Sequence, residues 1–159
     1  TGEVTLSTSS KDTQGYKLLS SLINSEKSNT IWIGDSADEG SNSCIGYSAE
    51  IYMKNKSFYG IVDDGPQNSL INFNPDNWEG GYDDNGSVLR PPYVGLAHEM
   101  GHSEAHNNGT KEKGEYIYTP GYTPFTEINS IKWENLIRVE HNLTPRTYYY
   151  PIKIFFEEE

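Results

Sequence analysis

Apolar side chains near the start of the chain recur with a helical period. Residues 11–24 place four of them on one helical face, a spacing that predicts an amphipathic helix. Asp12 or Thr13 precedes the first turn, where a side-chain oxygen can accept a hydrogen bond from a free backbone N–H. We therefore expect a first helix whose buried face consists of Tyr16, Leu19, Leu22 and Ile23.

Strand-like patterns fill most of the following segment. The cleanest is the alternation of apolar and polar residues over 44–54, in which every second side chain would face the same side of a sheet. Asn55 and Lys56 suit a tight turn after it, and Pro151 suits an edge position near the end of the chain. The predicted strands are residues 30–33, 44–54, 57–62, 69–73 and 148–156.

Two further helices are predicted in the second half. Pro91 and Pro92 open the first of them, because proline needs no N–H partner in the first turn of a helix. This helix runs over residues 93–106 and ends before Gly109, and the other covers residues 126–140. The expected cap of the last helix and three members of its buried stripe are Thr126, Ile128, Ile131 and Val139.

The order of helix, strands and then helices implies an α+β domain. A chain of 159 residues usually forms one domain around one core. We assign residues 1–10 to a polar tail or linker, 11–156 to the single domain and 157–159 to an acidic tail. Residues 76–87 are rich in Gly, Asp and Asn and predict a surface loop.

Composition narrows the possible partners. The chain has 12 basic and 23 acidic side chains and a net charge of −11, which argues against a nucleic-acid partner because phosphate binding needs clustered cations. No apolar run approaches the ~20 residues that a membrane span needs, and residues 1–10 show no signal-peptide pattern. Cys44 is the single cysteine, so any transition metal would have to be held by His and carboxylate.

The most informative motif lies in the second predicted helix. His98, Glu99 and His102 form an HExxH pattern. Because residues i and i+4 lie on one helical face, both imidazoles can reach one ion, and Zn²⁺ favours such nitrogen ligands. Glu99 would lie beside the ion as the base that activates a metal-bound water, whose pKa falls from about 15.7 to about 7, and would then deliver the proton to the leaving amine.

A catalytic zinc site needs a third protein ligand, and two glutamates lead the five candidates. Glu115 begins a new segment after a short loop and could fold back over the site. Glu134 lies within the last predicted helix, where Arg138 four residues later offers an exposed ion pair instead. We favour Glu115 over Glu134.

The other three candidates rank below these glutamates. His106 shares the helix of His98, but about 12 Å of rise separates them, so the two cannot close on one ion together with His102. His106 is therefore expected to line the cleft or to cap the helix. Glu127 is expected to be an acidic residue in the first turn of the last helix, where the helix dipole favours a negative charge. His141 lies past the end of that helix.

Three blocks of the sequence carry a resemblance to a known family. They are an apolar run into HExxH at 94–102, the segment 114–121, and a Glu-Asn-x-x-Arg-x-Glu stretch followed by Arg-x-x-Tyr at 134–149. Together they resemble the short HExxH zinc metallopeptidases of bacterial effectors and toxins. That group includes type III secreted proteases that cut host MAP kinases and the protease tips of Rhs-type polymorphic toxins. Tyr116 and Pro120 depart from the family's pattern, and the N-terminal half shows no resemblance.

The resemblance implies a zincin-like fold: a small, mostly antiparallel sheet, an active-site HExxH helix and a C-terminal helical half. It also implies zinc held in a gluzincin-like site by His98 and His102, with Glu99 as the base. Arg138, Arg146 and Tyr149 match the family's motif without an assigned role. Arg146 and Tyr149 are candidate contacts to the substrate or transition state, since a guanidinium or a hydroxyl could stabilise an oxyanion. The alternative for the two arginines is ion pairing with Glu134 or Glu140.

These observations lead to a main hypothesis and an alternative. The main hypothesis is a zinc-dependent endopeptidase, secreted or translocated into a target cell as an effector or toxin domain, with a protein substrate and a possible cognate immunity or target protein. The alternative is a degenerate zincin that serves as a protein-binding module with a structural or absent metal. A third and weaker hypothesis is a metal-dependent hydrolase that acts on amide bonds other than peptide bonds. The sequence names neither a target nor a cleavage site.

Overall fold

A computed structural model of the protein describes residues 5, 11–34, 42–47, 65–110, 123 and 127–149. The predicted strand at 57–62 lies outside these residues, as do most of the proposed tail 1–10 and all of the acidic tail 157–159. The described elements are α1 (Gln14–Ile23), β1 (Asn29–Ile33), β2 (Ser43–Tyr47), β3 (Asn68–Phe73), α2 (Pro92–Asn108) and α3 (Ile128–Glu140).

The first helix forms as predicted, but its buried face is shifted. The Thr13 side chain accepts a hydrogen bond from the backbone N–H of Tyr16 at 3.2 Å, which confirms the predicted cap. Leu18 and Leu22, one turn apart, are the buried members of this face, whereas Ile23 is 41% exposed. Ile23 is the last helical residue and lies about 100° around the axis from Leu22, so it turns out of the core.

The sheet is small and mixed rather than mostly antiparallel. Its order is β1-β3-β2, with β3 parallel to β1 and antiparallel to β2. The expectation of mostly antiparallel pairing is therefore wrong for the described strands. β3 lies between the two earlier strands, where Ile71 pairs with Ile31 on one side and Cys44 on the other. Because β1 and β2 run in opposite directions, the strand between them must be parallel to one and antiparallel to the other.

Helix α2 forms the centre of the fold. It begins at Pro92 and ends at Asn108, and the following Gly109 has a φ of 63°, the left-handed conformation that favours glycine, so the predicted proline start and glycine stop are confirmed. It packs against the sheet, α1 and α3. The core that joins these layers consists of Leu18, Leu22, Ile71, Phe73, Val94, Ala97, Met100 and Ile137.

Helix α3 differs from its prediction in which face it buries. Ile131 is buried as expected, but Ile128 and Val139 are 44% and 61% exposed. The buried side chains of this helix are mostly polar: Ser130, Ile131, Glu134, Ile137 and Arg138. The sequence pattern failed here because a face that serves a polar cluster carries few apolar residues. The predicted cap Thr126 lies outside the described residues, and Glu127 occupies the position before the helix.

Two remaining predictions concern irregular segments. Residues 76–87 form a loop, as predicted, with one isolated bridge between Glu79 and Leu89 beside it. Tyr148 and Tyr149 are not in a strand, and the rest of the predicted strand 148–156 lies outside the described residues. Within the described ranges, no helix has the length and apolar character needed to cross a membrane.

Candidate metal centre

The two motif histidines face each other on α2. Their ring centroids lie 5.0 Å apart with the planes at 82°, as expected for residues one helical turn apart. His98 is buried, with 3% of its surface exposed, and His102 is partly buried. This arrangement confirms the expected placement of the pair on one face.

The carboxylate that joins the histidines is Glu127. Its Oε2 lies 3.1 Å from His98 Nε2 and 3.2 Å from His102 Nε2. One ligand atom from each of these residues lies within 4.8 Å of the other two. Glu127 is therefore not only a first-turn acid, as the sequence suggested, because its side chain turns back from the start of α3 onto α2.

This donor set fits a zinc ion. Two imidazole nitrogens and one carboxylate oxygen are the protein ligands of one common class of catalytic zinc site, in which a fourth position stays open. His98, His102 and Glu127 are the only such group of three among the described residues. Two donors come from α2 and the third from the residue that precedes α3.

The electrostatics of the cluster also suit a cation. Burial alone would lower the pKa of His98, but hydrogen bonds to Glu127 and Glu134 and the charge of Glu99 outweigh it and raise this pKa to about 9. Burial would raise the pKa of Glu127, yet its contacts with His102 and His98 hold it well below its ordinary value. The neighbouring carboxylates thus favour the positively charged form of His98.

Glu134 lies on the opposite side of the His98 ring. Its Oε2 is 2.9 Å from His98 Nδ1, so it does not join the convergent ligand atoms. An acceptor at Nδ1 holds a proton on that nitrogen, so Nε2, on the Glu127 side, is the nitrogen that would give up its proton to bind a metal. Glu134 is therefore placed to hold the His98 ring rather than to join the convergent atoms.

Both arginines of the motif pair with Glu134 and not with Glu140. Arg138 Nε lies 2.8 Å from Glu134 Oε1, and Arg146 Nη1 lies 3.3 Å from Glu134 Oε2. All three side chains are buried, so the Glu134–Arg138 pair is not the exposed pair that the sequence suggested. Although burial would raise the pKa of Glu134, its contacts with His98 and the two arginines keep that pKa below its usual value.

Tyr149 is the second candidate for contact with a substrate. Its ring centroid lies 6.1 Å from that of His98, and the Arg146 guanidinium lies 4.7 Å above the tyrosine ring. Arg146 Nη2 also donates to the Tyr149 carbonyl at 2.7 Å. The structure therefore brings Arg146 and Tyr149 close to the site, and their contact with a substrate stays a prediction.

The remaining candidate residues lie in different parts of the chain, and the structure describes three of the four. Glu99 is buried on α2 beside the histidines, and its role as the base stays a prediction. Glu115 lies outside the described residues. His106 does not join the ligand cluster and is buried, with Nδ1 3.2 Å from Gln67 Oε1. The ring of His141 lies against that of Tyr93, with centroids 4.7 Å apart and the planes tilted by 46°.

The sequence carries one indication that Glu127 is more than a first-turn acid. Glu127 and Glu134 are seven residues apart, which is close to two helical turns and places them on one side of α3. The two acids contact opposite nitrogens of the same imidazole, Nε2 and Nδ1 of His98. A pair of acids at this spacing in a helix with a weak apolar stripe was the available indication.

A comparison with models of known protein families gives a match. The model of the effector-protein family Peptidase_M91 matches residues 3–129, which include the N-terminal half, the HExxH helix and Glu127. The match ends before Glu134 and the two arginines. No curated protein and no solved structure matches the chain.

Proposed function

Since the chain belongs to the effector-protein family Peptidase_M91, we propose that it is a zinc-dependent endopeptidase that acts in a host cell. The family name supports a peptidase whose substrate is a protein and an effector that is translocated. The zinc dependence, the zincin-like character of the fold and the mechanism are our proposals. One observation carries them: the convergence of His98 Nε2, His102 Nε2 and Glu127 Oε2 from two packed helices.

The roles of the side chains follow from their positions. His98, His102 and Glu127 would hold the ion. Zinc bound there would supply a Lewis acid that polarises the scissile carbonyl and lowers the pKa of water to about 7. Glu99 accepts a proton from the attacking water at its carboxylate and passes it to the leaving amine.

Two further groups support this chemistry. Glu134 holds the His98 ring by its Nδ1, and the two arginines in turn hold Glu134. Burial of His98 and Glu99 keeps bulk water away from the reacting groups and strengthens their charge interactions. The intact Glu99 favours the enzyme over a binding module, because a structural metal has no use for a base at that position.

The test combines metal analysis with proteolysis. We expect one zinc per chain in the purified protein and new peptide amino termini, read by mass spectrometry, in host-cell lysate proteins incubated with it. Glu99→Gln should retain zinc and lose cleavage by several orders of magnitude, since a general base contributes about 10²–10⁴-fold. The exposed Glu79→Gln is the matched control and should cleave as the wild type does.

The possible outcomes separate the hypotheses. Zinc-loaded protein without cleavage in any lysate would favour the binding module. Purified protein that takes up no transition metal would overturn the proposal. Cleavage that survives Glu99→Gln unchanged would rule out the assigned base.

A further inference from the structure

A polar contact joins α2 and α3 close to the ligands. Glu104 Oε2 accepts two hydrogen bonds from α3, one from Trp133 Nε1 at 2.7 Å and one from Asn129 Nδ2 at 3.1 Å. The same Asn129 amide group donates to the Gly101 carbonyl at 2.7 Å. Both partners of the amide are acceptors, so its NH₂ group must point at α2. We call Glu104, Asn129 and Trp133 the interhelix clamp.

The clamp connects the two segments that carry the proposed ligands. Glu104 follows His102 by two residues on α2, and Asn129 follows Glu127 by two residues at the start of α3. Glu127 makes no side-chain cap bond to its own helix, and its carboxylate contacts the two imidazoles instead. Its distance from them therefore depends on where the first turn of α3 lies against α2.

Apolar packing alone does not determine that position. The helices come close together at Gly101, where an added Cβ would lie 2.8 Å from the Ser130 Cα. This contact limits how near the helices come to each other. Apolar packing is not directional, however, so it does not fix how far α3 is displaced along the axis of α2. Hydrogen bonds depend on angle as well as distance, and those to a carboxylate are stronger than neutral ones.

We propose that Glu104, through Asn129 and Trp133, is the positioning residue that holds Glu127 against the two histidines. This inference rests on the proposed function, since it concerns the third ligand of the zinc site. Glu104 itself is not among the convergent ligand atoms. Its role is to fix the shift of α3 along α2, so that the carboxylate of Glu127 meets both Nε2 atoms.

The first test measures zinc affinity of the metal-free protein against a chromophoric chelator. Glu104→Ala removes the oxygen that accepts both hydrogen bonds, and we expect a Kd for zinc raised about 10-fold, the lower end of the effect of losing an outer partner that contacts a ligand directly. Glu104→Gln keeps one acceptor oxygen and should recover part of the affinity. Trp133→Phe keeps an aromatic ring but removes its N–H donor, and we expect a smaller loss of the same kind.

Matched controls separate positioning from general damage. Trp32→Phe makes the same chemical change at a tryptophan that is 61% exposed on β1, and Glu79→Gln removes an exposed carboxylate. Both should bind zinc as the wild type does. Circular dichroism of every metal-free variant shows whether the fold is retained, and Trp133→Phe serves as the milder change if Glu104→Ala unfolds.

A double-mutant cycle gives the sharpest readout. If Glu104 acts through Glu127, Glu104→Ala should not weaken zinc binding any further in a Glu127→Ala background. An equal loss in both backgrounds would assign the clamp to overall stability and overturn the inference. Wild-type binding of zinc with unchanged affinity in Glu104→Ala and Trp133→Phe would also overturn it while leaving the proposed function intact. A wild type that binds no zinc would instead refute the proposed function, and the inference with it.

Discussion

At the scale of single residues, the site depends on buried charged side chains that neutralise one another. Glu134 is fully buried and contacts His98, Arg138 and Arg146. A buried charge without a partner is costly, so each member of this cluster requires the others. The two arginines are engaged with Glu134 and with backbone carbonyls, so they hold the carboxylate that contacts the His98 imidazole.

Removing the central carboxylate should therefore destabilise the protein strongly. Glu134→Gln leaves two buried guanidinium groups without a counter-charge, and we expect the free energy of unfolding to fall by about 3–5 kcal/mol. Urea denaturation measures this loss. Glu140→Gln, an exposed acid on the same helix, is the control and should cost less than about 1 kcal/mol. Equal effects of the two variants would contradict the role of Glu134.

Single substitutions also test which glutamate is the third zinc ligand. Glu127→Gln should weaken zinc binding by more than about 100-fold, beyond the usual effect of an outer partner. Glu115→Gln should leave the affinity unchanged, because the Glu127 carboxylate already joins both imidazoles. Competition with a chromophoric chelator measures both variants. The reverse order of effects would make Glu115 the ligand, as the sequence alone favoured.

At the scale of elements, the site depends on how closely α2 and α3 approach. Gly101 stands within the HExxH motif, and the backbone of Ser130 lies against it. Glycine is needed at this position for its lack of a side chain rather than for its conformational freedom. A short distance between the helices lets Glu127, at the start of α3, reach across to α2.

A methyl group at this contact should separate the helices. In Gly101→Ala the new Cβ would lie 2.8 Å from the Ser130 Cα, so the backbone must shift. We expect a loss of about 1–3 kcal/mol in unfolding free energy of the metal-free protein, together with weaker zinc binding. Gly65→Ala is the control, since a Cβ there meets nothing within 4 Å. Wild-type stability and affinity in Gly101→Ala would show that the contact does not set the helix distance.

At the scale of the whole molecule, the proposed ligands connect parts of the fold that are distant in sequence. His98 and His102 belong to α2, which packs on the sheet and on α1, while Glu127 belongs to the start of α3. A metal held by both helices would join them only in the folded state. Its binding free energy would then add to the stability of the protein.

Zinc removal should consequently lower the melting temperature. At a free zinc concentration about 100 times Kd, binding adds about 2.7 kcal/mol, which corresponds to roughly 5–10 °C for a chain of this size. Calorimetry with and without a chelator measures the shift. Glu99→Gln should retain it, whereas His102→Ala should lose most of it. An identical melting temperature in both conditions would contradict the proposed metal centre.

The sequence by itself determined much of the local structure. It predicted the capped start of α1, both ends of α2 and the placement of His98 and His102 on one face, because caps and helical periodicity depend on neighbouring residues. The family match agrees with the resemblance drawn from the HExxH run, and it also extends into the N-terminal half, where the residues alone suggested nothing.

Only the tertiary structure decided what completes the site. The parallel pairing of β1 with β3, the burial of Glu134 with its two arginines and the approach of Glu127 to the histidines all join residues far apart in the chain. A carboxylate at a helix start looks the same in sequence whether it faces water or a second helix. Its partner depends on how the two helices pack, and the close contact at Gly101 is one part of that packing, which no local pattern encodes.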